Sequence, residues 1–277
     1  MQISLTISNH TIFADLKGSL KLYQQWLTRV RPYIAQGNTT KVDLFLDVKM
    51  VSGWISLNAK DDLLFEYNNG TLDSIQIKKT TMRGNIRREP DKYVGSFEVN
   101  KDHSDTVDFL FRTCLSFLCE EKGDILLHSS AVIKDGEAWL FIGKSGVGKT
   151  TIALELNGGA LPMSVDRTVI SLDKSGDFYA YSTPFSDREF SVKEAKRAKI
   201  AGLVFIEQAS KHEILPISTW EATTLLLRQT IAESKDPAVV SRTLNQTSRL
   251  AEQVFSCKMK FAKNDKFWNL LMKEATS

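Results

Sequence analysis

Eight consecutive residues, Gly143, Lys144, Ser145, Gly146, Val147, Gly148, Lys149 and Thr150, with Thr151 directly behind them, have the types and spacing to hold a polyphosphate. In this pattern glycines let main-chain N–H groups close around phosphate oxygens, the lysine reaches the β- and γ-phosphates, and the hydroxyl helps to hold Mg²⁺. A glycine-rich turn with a surface lysine would share these residues but not their flanks. Residues 137–142 are an apolar run that predicts a buried strand. Residues 151–156 predict the first turns of a helix stopped by Gly158 and Gly159. Strand, glycine loop and helix start are what phosphate binding requires.

A phosphate loop points to a nucleoside triphosphate and no further, because the same cradle serves switches, motors and kinases. The chain lacks an Asn-Lys-x-Asp guanine reader, which residues 172–174 do not supply, and it lacks the Leu-Ser-Gly-Gly signature of transporter ATPases. These absences shift the weight towards phosphoryl transfer, which needs an acid near the metal and groups around the γ-phosphate. Asp166 closes the mostly apolar stretch 161–165, one helix after the loop, and is followed by Arg167. His128 lies in the run 125–133, which the turn Lys134, Asp135 and Gly136 folds back onto the strand feeding the loop. That hairpin brings the imidazole towards the γ-phosphate position, although a lone histidine is more often a structural residue. Glu207, at the end of the buried strand 200–206, is a second candidate acid or simply a solvated strand-end glutamate. Arg167 and Arg188 are candidates to hold substrate or the transferring phosphoryl, or are ordinary loop arginines.

The elements around these residues suggest two domains, 1–120 and 121–277. The 277 residues, 42% hydrophobic, suffice for two cores. The first domain reads as α+β, mainly antiparallel. An alternating N-terminus is followed by strands at 42–48, 54–58, 63–67 and, past a turn at 68–70, at 72–77. One helix at 20–30 carries Leu20, Tyr23, Leu27 and Val30 at helical spacing. It has no constellation of titratable groups, so binding or packing is its default role. A helix from Ser104 and Asp105 to about Gly123 joins the two domains. Beyond the loop the chain predicts strands at 168–172 and 179–181, a helix capped by Ser218, another begun by Asp236 and Pro237, a strand near 257–261 and a terminal helix from about Asp265.

A net charge of +3 is too small to argue for nucleic acid or a membrane surface. The basic clusters at 78–79, 83–88 and 193–199 read as solvated faces, or else as docking sites for an acidic partner. No stretch resembles a signal peptide or a membrane span, and Cys114, Cys119 and Cys257 have no metal-ligand spacing, so reduced thiols in a cytoplasm are expected. Cys114 and Cys119 read as core residues of the joining helix.

The block 127–133, the loop 143–151 and Ser164, Val165, Asp166 and Arg167 together resemble the catalytic core of the HPr kinase/phosphorylase family. The resemblance covers about 124–206 and, more weakly, the C-terminal helices. It implies a P-loop α/β kinase core, similar in fold to ATP-type phosphoenolpyruvate carboxykinase. It also implies ATP with Mg²⁺ and phosphorylation of a serine hydroxyl. Lys149 would then sit on the phosphates, Thr150 on the metal, His128 beside the γ-phosphate, and Asp166 would serve the metal or the attacking hydroxyl. The family usually carries two adjacent aspartates before the arginine. Here Val165 precedes Asp166, so one carboxylate has to act as metal ligand, as general base, or as both through a water. The family's usual N-terminal domain is not recognisable. The layout, including Thr183, Pro184 and Phe185, is similar to the branch that tailors precursor peptides in lasso-peptide and related biosynthesis. The partner expected from that resemblance is a peptide or small protein with an acceptor serine, and homo-oligomerisation is left open. The alternatives are a nucleotide-sensing module with a degenerate acid pair, and a small-molecule kinase.

Overall fold

The computed structural model describes residues 1–18, 23–35, 41–52, 62–68, 71–103, 105–156, 158–185 and 194–276. The strand expected at 54–58, Leu20, Ser104, the tip of the turn at 68–70 and Arg188 lie outside them. The chain divides into two compact units, Met1–Lys122 with Glu233–Val240, and Gly123–Ala232 with Ser241–Ser277. The return of eight late residues to the first unit is invisible in chain order, and the helix expected to join the domains belongs to that unit.

Among the described residues the first unit is a seven-stranded mixed sheet with two helices. Its strands are β1 (Gln2–Ile7), β2 (His10–Lys17), β3 (Leu44–Val51), β4 (Asp62–Asn68), β5 (Thr71–Lys79), β6 (Met82–Arg88) and β7 (Tyr93–Asn100). The order is β1-β2-β3-β7-β6-β5-β4. The pairs β2 with β3 and β3 with β7 are parallel, and the other neighbours are antiparallel. Alternation along each strand buries one face, including Ala14, Leu46, Ile75 and Ile86. Helix α1 (Gln24–Val30) and helix α2 (Asp105–Lys122) pack in this unit, with Trp26 against Phe111 at 4.7 Å and Tyr93 against Phe117 at 5.2 Å. Of the helix expected at 20–30, the described residues include α1, and there Tyr23, Trp26 and Val30 are buried while Leu27 is only half-buried. Cys114 and Cys119 are buried free thiols on α2, and Cys257 is buried too. The basic cluster 83–88 is strand β6. A Cβ at Gly84 would meet Phe97 Cδ1 and Ser96 O at 2.3 Å, so glycine here serves strand contact rather than a turn.

The second unit holds β8 (Ile125–Lys134), β9 (Glu137–Ile142), β10 (Leu161–Ser164), β11 (Arg167–Leu172), β12 (Phe178–Ser182), β13 (Arg197–Gln208), β14 (Glu213–Pro216) and β15 (Phe255–Phe261). Strand β9 lies between β8, to which it is antiparallel, and β13, to which it is parallel, and β13 also pairs in parallel with β15. Helices α4 (Thr219–Leu227) and α5 (Pro237–Gln253) contribute Ala222, Leu226, Leu250 and Ala251 to a core with Leu140, Ile142, Leu203 and Phe205. Helices α3 (Lys149–Leu154) and α6 (Phe267–Ala275) contribute Ile152, Phe267 and Trp268 to a second core with Phe141, Val204 and Met259. Strands β9 and β13 bring residues to both cores, which explains their apolar runs, whereas β15 brings Cys257, Met259 and Phe261 to the second core alone.

Two caps behave as their residues dictate. Ser218 Oγ accepts the Glu221 amide at 3.2 Å, and Asp236 Oδ1 accepts the Ala238 amide at 2.9 Å. Among the described residues no helix is long and apolar enough to cross a membrane.

Candidate active site

Strand β9 delivers the chain to Gly143, and the loop 143–148 turns it into α3. Gly146 and Gly148 adopt φ of +79° and +112°, a region that costs an L side chain and suits glycine. Lys144, Ser145 and Gly146 are exposed on the rim, whereas Lys149 is buried at its base. The Lys149 ammonium folds back to donate to Gly143 O at 2.8 Å and Lys144 O at 3.1 Å. Burial pushes its pKa below the ordinary lysine value, while the nearby Asp166 charge pulls the other way. Helix α3 ends at Leu154, earlier than the expected 156, with Gly158 and Gly159 following at positive φ. A Cβ on Gly158 would meet Trp268 at 2.3 Å.

Asp166 reaches the loop through a broken strand. Strands β10 and β11 both run antiparallel to β8 on the same edge, with a register shift between Pro162 and Ser164. The apolar stretch expected to end in Asp166 stops as a strand at Ser164, and Val165 and Asp166 form the gap before β11. Irregularities of this kind re-aim side chains beside functional sites. The Ser129 amide still donates to Asp166 O at 3.2 Å, and Thr150 Oγ1 donates to Val165 O at 3.3 Å, which ties the gap to both β8 and the loop helix.

His128 and Arg167 face each other in the β8–β11 register, with Asp166 next to both. His128 Nε2 lies 3.3 Å from Asp166 Oδ1, and Arg167 Nη1 lies 2.7 Å from Asp166 Oδ2. The hairpin that carries His128 turns through Asp135 and Gly136 at φ of +53° and +87°. The structure therefore brings together Lys149, Thr150, Asp166, His128 and Arg167. It does not bring Glu207, which is exposed, pairs in register with Lys260, and whose charge acts on Lys258 and Lys260.

Three contributors have no role assigned to them by the sequence reading. Ser130 Oγ donates to Lys149 O at 2.8 Å from the interior. Thr183 Oγ1 donates to Arg167 O at 2.8 Å. Gln208 Nε2 donates to Gly146 O at 3.2 Å and Val147 O at 3.4 Å. Period-2 alternation separates Gln208 from Glu207, but only the tertiary arrangement shows which of the two meets the loop.

The donor set fits a magnesium nucleotide: a loop with glycines at positive φ, one ammonium, the hydroxyls of Thr150 and Thr151, and a single carboxylate. Among the described residues no group of three or more His, Cys, Asp or Glu side chains could hold a metal by itself. A bound Mg²⁺ would therefore depend on Thr150 and Asp166 together with phosphate oxygens.

A family model described as "SynChlorMet cassette protein ScmC" matches residues 102–274, well over half of the chain. No curated protein matches. One similar solved structure, described as the Hpr(Ser) kinase/phosphatase from Coxiella burnetii, is 10% identical with a TM-score of 0.25, and the match covers 46% of this chain and 92% of that one. A likeness that slight bears on neither mechanism nor substrate.

Proposed function

The chain belongs to the SynChlorMet cassette protein ScmC family, and on that premise we propose that it is an ATP-dependent kinase that phosphorylates a serine hydroxyl of a peptide or small protein. The observation that carries this reading is the placement of Asp166. Its carboxylate is shared between His128 Nε2 at 3.3 Å and Arg167 Nη1 at 2.7 Å, in a strand gap that accepts the Thr150 hydroxyl at 3.3 Å.

The bound nucleotide supplies the transferable γ-phosphoryl group, and Mg²⁺ supplies charge neutralisation. Lys149 leaves the carbonyls of Gly143 and Lys144 to donate to phosphate oxygens, a move that replaces two neutral acceptors with charged ones. Thr150 and Asp166 are the residues that would hold Mg²⁺. Asp166 Oδ1 is the atom that takes the acceptor hydroxyl proton, with His128 Nε2 beside it to share or relay that proton. Arg167 keeps the carboxylate oriented and adds positive charge next to the transferring group.

A second reading is favoured by the single acid. Because Glu207 turns towards Lys258 and Lys260, the site lacks its help, and an ATP-binding sensor with little turnover would be built this way. One experiment separates the two. The protein is incubated with γ-labelled ATP, Mg²⁺ and a pool of serine-containing candidate peptides, and label on serine is sought by mass spectrometry. The kinase reading expects transfer by the parent and far less by Asp166→Asn. ATP binding without transfer to any hydroxyl supports the sensor instead.

A further inference from the structure

Gly146, Val147 and Gly148 are held from outside the loop by two residues that are partners across neighbouring strands. Gln208 and Phe261 pair in the parallel register of β13 and β15. From these adjacent positions the Gln208 amide donates to Gly146 O at 3.2 Å and to Val147 O at 3.4 Å, while the Phe261 ring stands 3.3 Å from where a Cβ on Gly148 would be. The ladder that aligns them continues into the Ala209 amide, which donates to Phe261 O at 3.0 Å. Gly143, at the start of the loop, already lies against the Ile206 carbonyl, with its own would-be Cβ at 3.0 Å. The end of β13 therefore touches the loop at both its beginning and its apex.

A peptide unit is planar, and its C=O and N–H point in opposite directions. Drawing the carbonyls of Gly146 and Val147 out towards Gln208 turns the amides of Val147 and Gly148 to the other side. In this structure the Val147 amide crosses the loop to Lys144 O at 3.3 Å, the carbonyl that also receives the Lys149 ammonium. The outward pull thus orients amides towards the position that phosphate oxygens would share with Lys149.

We infer that Gln208 is a positioning residue of the phosphate loop, preorganising the amides of Val147 and Gly148 for the β- and γ-phosphates of a bound nucleotide. The inference rests on the nucleotide reading above and adds to it a residue outside the loop motif. An uncharged donor suits the task, because a carboxylate at this place would face two carbonyl oxygens and repel the triphosphate. Gln208 itself is exposed, so its amide can be removed without opening a core.

The test measures binding of Mg-ATP and of Mg-tripolyphosphate to the full chain by calorimetry. Gln208→Met keeps length and neutrality but has no donor. It is expected to weaken both ligands by the same factor, roughly tenfold, with the melting temperature unchanged. Gln208→Lys restores a donor of similar reach and is expected to recover most of that loss at about 0.5 M salt, where its added charge is screened. Parent-like affinity in Gln208→Met overturns this inference alone. So does a loss that tracks a fallen melting temperature and is not recovered by lysine. If the parent binds neither ligand, the nucleotide reading fails and this inference fails with it.

Discussion

In the first unit two glutamates end α2 with carboxyl groups that accept from fixed donors. Glu120 accepts the Glu233 amide at 2.6 Å and the Tyr67 hydroxyl at 3.1 Å. Glu121 accepts the Leu72 amide at 2.9 Å and the Tyr93 hydroxyl at 2.9 Å. In the second unit the partners of the Asp166 carboxylate among the described residues are two side chains, an imidazole and a guanidinium, and both can let go. Main-chain amides cannot leave without unfolding the segment that carries them. Burial also pushes the phenols of Tyr67 and Tyr93 above their ordinary range, so they remain donors at any ordinary pH. The contrast distinguishes a carboxylate that ties chain segments together from one that is available for chemistry.

The strongest way to break this contrast is Lys149→Ala. It is expected to weaken Mg-ATP binding by about 100-fold, through loss of charge-assisted hydrogen bonds, while circular dichroism stays unchanged. Retained affinity in calorimetry would mean that the loop is not the nucleotide site. Next comes Asp166→Asn, expected to lower phosphoryl transfer by about 10²–10⁴-fold with Mg-ATP affinity held within about threefold. Full activity in the peptide-labelling assay would show that the base lies elsewhere.

On the structural side, Glu120→Ala leaves the Glu233 amide without its acceptor. The expected cost is about 1–3 kcal/mol in urea unfolding, with nucleotide affinity unchanged. A shift in affinity instead would erase the distinction between the two sites.

The smallest effect expected is a pH dependence. Burial raises the Glu120 carboxyl above its ordinary 4.5. Its protonated form therefore stabilises the fold fully below 4.5, and that contribution is lost as pH rises through the folded-state value. Glu120→Gln has no such proton to lose, so its stability relative to the parent should improve between pH 4 and pH 7. A difference that does not vary over that range would contradict a carboxyl whose pKa burial raises.

Motifs read locally were legible in the sequence because their physics is local. The loop, its feeding strand, the Asp135–Gly136 hairpin and the two capped helices each depend on residues within a few positions of one another. Strands β2, β6, β7 and β14 were missed. In β6 the charged, glycine-containing run 82–88 hides its period under arginines, and Gly84 looks like a turn until Phe97 is placed beside it. Asp166 was singled out as a strand-end acid. What holds it is instead a gap between two short strands paired to the same edge of β8, a feature that depends on long-range register.

Residue types alone determined that this chain carries a glycine-rich loop of the phosphate-binding pattern with a histidine, an aspartate and an arginine close by in the order of elements, since backbone freedom and charge at fixed spacing are properties of the sequence. Which acid meets the loop was a tertiary decision. Glu207 and Gln208 are neighbours in the chain, and only the stacking of β13 between β9 and β15 puts the amide on Gly146 and leaves the carboxylate to the lysines of β15. The alternation of a strand fixes that two adjacent side chains part company, and packing chooses the side each one takes.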